Sequence, residues 1–321
     1  MESKFEDLLS SVEEESQFRF PAENTLLLGA SKMVERSGYY GLRAILILYM
    51  VGQTFGMEDQ RAFMIYGFFT SAIAFSPILG GLIGDLLTGN KNSSIAGAFI
   101  QAAGAFCLAL IPTKEGLNLG LGLVIIGSGL YNPNLIAIYA KQYLHKPRLL
   151  DTGFTVFYLL INIGALIGTI AIPAFQSASG FSAAFILAGV FLLVSAVLPI
   201  FYQVAATPPP RQSTAPVNLR ILHTVLALIL GGLFWGIFEL RGSGVFNIQQ
   251  NFTSNNALNL SSSTLTLLNP AFVIPAAVIA AIAWYFIRIP SFVKVALALI
   301  MSAIGYGLLL QVSAQPMAGD I

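Results

Sequence analysis

Six polar side chains recur at helical spacing inside one otherwise apolar stretch near the start of the sequence. They are Lys32, Glu35, Arg36, Tyr39, Tyr40 and Arg43. Because an α-helix turns by about 100° per residue, these positions fall on a single stripe of one helix. One face of that helix is therefore polar and charged, and the other is apolar.

The cost of burying these charges indicates which way the stripe faces. An ionised side chain at the middle of a bilayer costs about 2.5–3.5 kcal/mol, so four of them facing lipid would nearly cancel the insertion energy of the helix. We therefore expect the stripe to face protein or a water-filled cavity. The alternative is a helix whose charges reach the polar interface. Arg43 lies roughly 16 Å further along the helix than Lys32, which disfavours that alternative.

The composition of the chain places it in the membrane class. Apolar residues make up 56% of it and charged residues 10%, whereas soluble domains contain about 25% charged residues. The sequence therefore predicts an all-α polytopic membrane protein. Its net charge of +1 provides no basic surface for nucleic acid. No cluster of metal ligands or catalytic groups indicates a metal, a cofactor or an enzyme.

Long apolar windows predict nine transmembrane helices. Six of them form a first bundle, residues 25–204, and three form a partial second bundle, residues 219–321. A polar cytoplasmic tail, residues 1–24, precedes the first bundle, and a proline-rich cytoplasmic linker, residues 205–218, separates the two. The predicted spans are 25–51, 61–84, 94–112, 118–142, 153–175, 180–204, 219–240, 264–287 and 292–312.

The distribution of basic residues predicts the orientation of the chain, because cytoplasmic loops carry an excess of Lys and Arg. We expect a multi-pass protein of the plasma (inner) membrane with its N-terminus in the cytoplasm. The inside loops would then hold Lys91, Lys141, Lys146, Arg148, Arg211, Arg220 and Arg288, and the outside loops only Arg61, Lys114 and Arg241.

Further motifs lie in or beside the predicted spans. A glycine-rich loop follows span two, a Gly-Ser-Gly segment precedes a proline in span four, and a Phe-Trp pair lies in span seven. Span five holds a lone amide in an apolar run, and span eight holds an Asn-Pro pair. The polar residues within these motifs are Asp85, Asn132, Asn162, Glu239 and Asn269.

Together with Glu35-Arg36 and Tyr39-Tyr40-Gly41, these motifs resemble those of the proton-coupled oligopeptide transporters (POT/PTR), a family of the major facilitator superfamily. The densest match runs from Phe154 to Leu166 in span five and includes Asn162. The resemblance implies the superfamily fold, with a six-helix N-terminal half and an incomplete C-terminal half, and hence a chain truncated at its C-terminus.

The resemblance also implies a function and a set of functional residues. It implies a monomeric secondary transporter of di- and tripeptides that is driven by protons, with no cofactor. One set of residues would bind the carboxylate and the backbone of the peptide, and a second set would serve proton coupling and gating. The first set is Lys32, Arg36, Tyr39, Tyr40, Asn162 and Asn269, and the second is Glu35, Asp85 and Glu239.

Three of these residues also have purely structural interpretations. Asn162 could form a hydrogen bond with a neighbouring helix, Asp85 could lie in a turn that only requires glycine, and Glu239 could pair with Arg241 or contact water.

The chain departs from the family pattern at two positions that bear on coupling. Lys32 stands where the family has an acid in the first helix, and Asn132 stands where it has a lysine in the fourth. In the family these two residues are oppositely charged partners. We therefore expect weak or absent proton coupling through the first helix. The alternatives are a truncated, non-transporting membrane paralogue or fragment, and a proton-independent carrier of other small carboxylates or anions.

Overall fold

The computed structural model describes residues 22–144, 147–203, 216–234, 262–287 and 289–313. Every regular element within those ranges is helical. A π-helical turn, Gly84–Thr88, and two 3-10 turns, Pro147–Leu149 and Leu198–Phe201, join some of the helices. The helices are α1 (Ala22–Val51), α2 (Asp59–Ile83), α3 (Asn90–Leu110), α4 (Lys114–Lys141), α5 (Leu150–Val197), α6 (Val217–Phe234), α7 (Ser262–Phe286) and α8 (Ser291–Ser313).

Within these ranges, five helical stretches are long and apolar enough to cross a membrane, namely Asp59–Thr88, Asn90–Leu110, Lys114–Lys141, Leu150–Phe201 and Val217–Phe234. Helix α1 has 30 residues, which is about 45 Å of helix and more than a bilayer core requires. Helix α1 is not among the five because its charged stripe lowers its mean hydropathy. The predicted total of nine spans stays a prediction.

Helix α5 consists of two helical arms that meet at a kink. We predicted two spans here, 153–175 and 180–204. The structure has two arms within Leu150–Val197, and the chain turns sharply between them at Gly180, where φ is 84° and ψ is 173°. Only glycine adopts this backbone conformation without strain. The turn therefore needs no loop, and the two arms of α5 are long enough for two passes.

Two of the predicted segments lie mostly outside the described residues. Only residues 22–24 of the predicted tail are described, and they form the first turn of α1. Residues 204–215 of the predicted linker are not described. Of the described residues, 22–203 and Pro270–Tyr285 form one compact unit and the rest form a second. The predicted division at the linker stays a prediction.

Glycines bring α1 close to α5, and this contact positions the charged stripe. A Cβ atom on Gly164 would lie 2.0 Å from the carbonyl oxygen of Met33, and one on Gly168 would lie 2.1 Å from that of Ser37. Such distances leave no space for any larger residue, so the two backbones are in direct contact. This close packing against α5 therefore fixes the position of the part of α1 that carries the stripe.

Two apolar clusters pack against α1, one before and one after the segment from Lys32 to Arg36. One contains Leu42 and Met50 together with Phe185 of α5, and the other contains Leu28 together with Tyr139 of α4. Because both clusters are buried, they hold α1 at both ends of the charged segment. The charges between them are thus fixed in position by packing on each side.

Candidate functional site

Glu35 is the centre of the candidate site. Its side chain is fully buried, and both of its oxygens accept hydrogen bonds from cations of the same helix. Oε2 lies 3.0 Å from Nζ of Lys32 and 2.6 Å from Nε of Arg36, and Oε1 lies 2.6 Å from Nη2 of Arg36. The carboxylate therefore binds the guanidinium in the two-point geometry that makes such pairs strong.

Asn132 of α4 completes this cluster from the neighbouring helix. Its Oδ1 accepts hydrogen bonds from Nζ of Lys32 and, at 3.1 Å, from Nη2 of Arg36. Its Nδ2 donates to the carbonyl oxygen of Ser128 at 3.0 Å and to the hydroxyl of Ser128 at 2.7 Å. Ammonium and guanidinium groups only donate, and the carbonyl oxygen of Ser128 only accepts. The amide can therefore form these hydrogen bonds only with its oxygen towards the two cations and its nitrogen towards Ser128. Asn132 thus links α1 to α4.

Aromatic rings surround both cations. The guanidinium carbon of Arg36 lies 4.6 Å from the ring centre of Tyr39 and 5.7 Å from that of Tyr40. Nζ of Lys32 lies 5.1 Å from the ring centre of Tyr131. At these distances, cation–π attraction offsets part of the cost of removing the charges from water. The cations of the stripe are therefore held in place by neighbouring rings as well as by Glu35 and Asn132.

The hydroxyl of Tyr131 on α4 connects α4 to α1 and, through Ser31, to α5. It lies 2.8 Å from Oγ of Ser31 on α1, and that Oγ donates to the carbonyl oxygen of Ser195 on α5 at 2.8 Å. Arg43, at the far end of the stripe, donates from Nε to the hydroxyl of Tyr66 on α2. Each end of the stripe is therefore bonded to a different helix.

The formal charges of the cluster do not cancel. Lys32 and Arg36 contribute two positive charges, and Glu35 contributes one negative charge. Within the described part of the chain, the hydrogen bonds of Arg36 use Nε and Nη2. The N–H groups of Nη1 are therefore available as donors. The Arg36 side chain is 12% exposed, whereas those of Lys32 and Glu35 are 4% and 0% exposed. Arg36 is therefore the member of the cluster that a ligand can reach.

The predicted substrate-binding amides lie elsewhere. Asn162 on α5 is half-buried, and its Nδ2 donates to the carbonyl oxygen of Tyr158 one turn earlier, at 2.8 Å. Asn269 lies in α7, but its side chain is not among those described. Glu239 lies outside the described residues. The structure therefore brings together Lys32, Glu35, Arg36, Tyr39 and Tyr40, and the roles of all the predicted residues stay predictions.

Asp85 belongs to a separate polar network. It accepts a hydrogen bond at 2.8 Å from Nδ2 of Asn90, the first residue of α3. The same Nδ2 also lies 2.9 Å from Oδ1 of Asn134, whose own Nδ2 donates to the carbonyl oxygen of Gly80 at 2.9 Å. Lys141 donates to Oδ1 of Asn90 at 2.5 Å. This network joins the ends of α2, α3 and α4.

Sequence reasoning missed the groups on α4 and α5 that hold the cluster. Ser128, Tyr131 and Ser195 are fully buried, and each forms a hydrogen bond with a residue of the cluster or its support. Single polar residues in apolar helices give no indication of which helix they face. The adjacency of Tyr131 and Asn132 to Pro133 was the one available signal, because a proline in a membrane helix indicates a cavity or a close neighbour.

Comparisons with known proteins place this site in a family context. Residues 91–213 match the model of the family described as "PTR2: POT family". The chain is 32% identical over 220 residues to the dipeptide and tripeptide permease B of Edwardsiella piscicida, covering 67% of this chain and 44% of the permease. It is 31% identical over 199 residues to the protein of the same name from Photorhabdus asymbiotica, covering 60% of this chain and 40% of that one. The matches thus span less than half of these relatives.

Solved structures share the fold. A POT family transporter in complex with 5-aminolevulinic acid is 26% identical and superposes with a TM-score of 0.56, covering 79% of this chain and 52% of that chain. Another, in complex with a thioalcohol-conjugated peptide, is 27% identical with a TM-score of 0.54, covering 78% and 51%. The chain is a multi-pass integral membrane protein with the helical fold of these transporters.

Proposed function

The chain belongs to the POT family of the major facilitator superfamily, and from this premise we propose that it works in the transport of di- and tripeptides. This is a family of transporters and not of enzymes, as the sequence analysis predicted. The cluster formed by Lys32, Glu35 and Arg36 would be the place where the carboxylate of the substrate binds.

The geometry of Arg36 is the observation that carries this proposal. Glu35 fixes one edge of the guanidinium with two hydrogen bonds of 2.6 Å. The Arg36 side chain is 12% exposed, and its guanidinium carbon lies 4.6 Å from the ring centre of Tyr39 and 5.7 Å from that of Tyr40. A carboxylate that reaches this edge would form charge-assisted hydrogen bonds and balance the excess positive charge of the cluster. Little side-chain entropy is lost on binding because the group is already held in place.

We further propose how the remaining predicted residues act on the peptide. Asn162 and Asn269 would form hydrogen bonds with its backbone, because an amide side chain can both donate to a peptide carbonyl and accept from a peptide N–H. Asp85, with its network at the ends of α2 to α4, would act in gating. Glu239 would carry whatever proton coupling the protein has.

Coupling through the first helix would be weak. Protonation of Glu35 would remove its charge from between two cations and break both ion pairs, which is costly in a buried cluster. The neighbouring position that could carry an acid holds Lys32, which is bonded to Glu35 and Asn132. The excess positive charge favours, as the second candidate, a proton-independent carrier of small carboxylates.

We propose that the protein acts as a monomer in the inner membrane, with its N-terminus in the cytoplasm. The excess of Lys and Arg in the predicted inside loops supports this orientation. The names of the bacterial relatives support a place in the inner membrane.

The experiment that tests the proposal is binding and uptake of a radiolabelled dipeptide by the purified chain in proteoliposomes. Arg36→Ala should abolish both, because the substrate carboxylate loses its partner in a site of low dielectric. Arg61→Ala is the matched control, since Arg61 is exposed at the start of α2, and it should leave both unchanged. Binding that survives Arg36→Ala would exclude this site. A native chain that binds no dipeptide would support the non-transporting alternative.

A further inference from the structure

Asn132 contacts both cations of the cluster, and its own orientation is fixed. Its oxygen faces Lys32 and Arg36, and its nitrogen is held by the carbonyl and the hydroxyl of Ser128. Ser128 is fully buried and lies one helical turn before Asn132 on α4. The hydrogen bonds to Ser128 therefore fix the direction in which the acceptor oxygen of Asn132 points.

The chemical identity of the side chain at position 132 determines the net charge of the cluster. A neutral acceptor satisfies both cations and leaves one net positive charge. An aspartate there would accept the same hydrogen bonds and bring the net charge to zero. A leucine of similar size would accept none and leave Lys32 and Arg36 each short of a partner, which is expensive for buried charged groups.

We infer that Asn132 is a positioning residue that determines substrate charge preference: it orients Lys32 and Arg36 without neutralising them, so that the site favours peptides with an additional carboxylate. This inference rests on the proposed function. A zwitterionic dipeptide brings one carboxylate and one ammonium group, whereas a dipeptide with an acidic side chain brings one net negative charge to match the cluster.

The distances support a direct electrostatic effect of position 132 on a bound anion. Oδ1 of Asn132 lies 3.1 Å from Nη2 of Arg36, the guanidinium whose other edge would hold the carboxylate. A new negative charge there would repel a carboxylate bound to the same guanidinium, at a buried site that water screens poorly. Affinity for the acidic peptide should then fall more than affinity for the zwitterion.

The test compares alanyl-glutamate with alanyl-alanine in binding to the purified chain. Asn132→Asp should weaken the binding of alanyl-glutamate more than that of alanyl-alanine. The dissociation constant for alanyl-glutamate divided by that for alanyl-alanine should rise about tenfold, which corresponds to roughly 1.4 kcal/mol. Lys32→Met should change the ratio in the same direction. The matched control is Asn118→Asp, the same chemical change at an exposed position of α4, and it should leave the ratio unchanged.

An unchanged ratio in Asn132→Asp, with binding still abolished by Arg36→Ala, would overturn this inference and leave the proposed function standing. If the native chain binds neither peptide, the proposed function fails, and with it the inferred charge preference. The positioning role then has its own readout in a double-mutant cycle of thermal unfolding with Asn132→Leu and Lys32→Met. The role predicts a smaller loss in melting temperature from Asn132→Leu when Lys32 is absent, and additive losses would refute it.

Discussion

Replacing Glu35 with glutamine should destabilise the protein strongly, because the change removes the negative charge that Lys32 and Arg36 share. In the native cluster Glu35 accepts three hydrogen bonds, of 2.6, 2.6 and 3.0 Å, from these two cations while fully buried. Removing one partner of a buried ion pair costs about 3–5 kcal/mol, since the other charge stays buried without compensation. Two cations would be left here, so we expect the upper part of that range.

Thermal unfolding of the purified protein in detergent, followed by tryptophan fluorescence, measures this effect. For a chain of this size, 1 kcal/mol corresponds to roughly 2–4 °C in melting temperature, so Glu35→Gln should lower it by about 8–20 °C. Glu115→Gln is the matched control, because Glu115 is exposed at the start of α4, and it should have little effect. Adding Lys32→Met to Glu35→Gln should restore part of the loss, since one of the two uncompensated cations is then gone.

The result that would refute this reasoning is a Glu35→Gln protein as stable as the Glu115→Gln control. Such a protein would show that the cluster is hydrated and that its charges are screened by water. A further loss on adding Lys32→Met would also contradict it, because the ammonium group would then be stabilising by itself.

Two further predictions concern topology and coupling. A reporter fused after Ala206 should be cytoplasmic and one fused after Ile321 external, because the predicted inside loops carry most of the Lys and Arg; a cytoplasmic reporter after Ile321 would mean that the number of spans is wrong. The double change Lys32→Glu with Asn132→Lys should increase the dependence of dipeptide uptake on an inward proton gradient, measured in proteoliposomes against the native chain. A native chain that already concentrates a neutral dipeptide several-fold on the gradient, with no gain from the double change, would contradict weak coupling, and Glu239→Gln would then be the next variant to measure.

The sequence by itself determined the membrane class, the charged stripe and the family. These features depend on local patterns, because helical periodicity places Lys32, Glu35, Arg36 and Tyr39 on one face whatever else the chain does. Runs of apolar residues of bilayer length likewise indicate spans without knowledge of their neighbours. The motif matches were confirmed by the comparisons with POT proteins.

Only the tertiary structure decided how the charges of the stripe are compensated. Lys32 and Asn132 are 100 residues apart in the sequence, and their contact depends on how α1 crosses α4, which no local pattern specifies. The resemblance indicated that Lys32 and Asn132 replace an ion pair of the family. It did not indicate that Glu35 accepts hydrogen bonds from both Lys32 and Arg36. Nor did it indicate that Asn132 of α4 accepts hydrogen bonds from the same two cations. These partners are set by close helix packing at residues such as Gly164, whose lack of a side chain brings the backbones into contact.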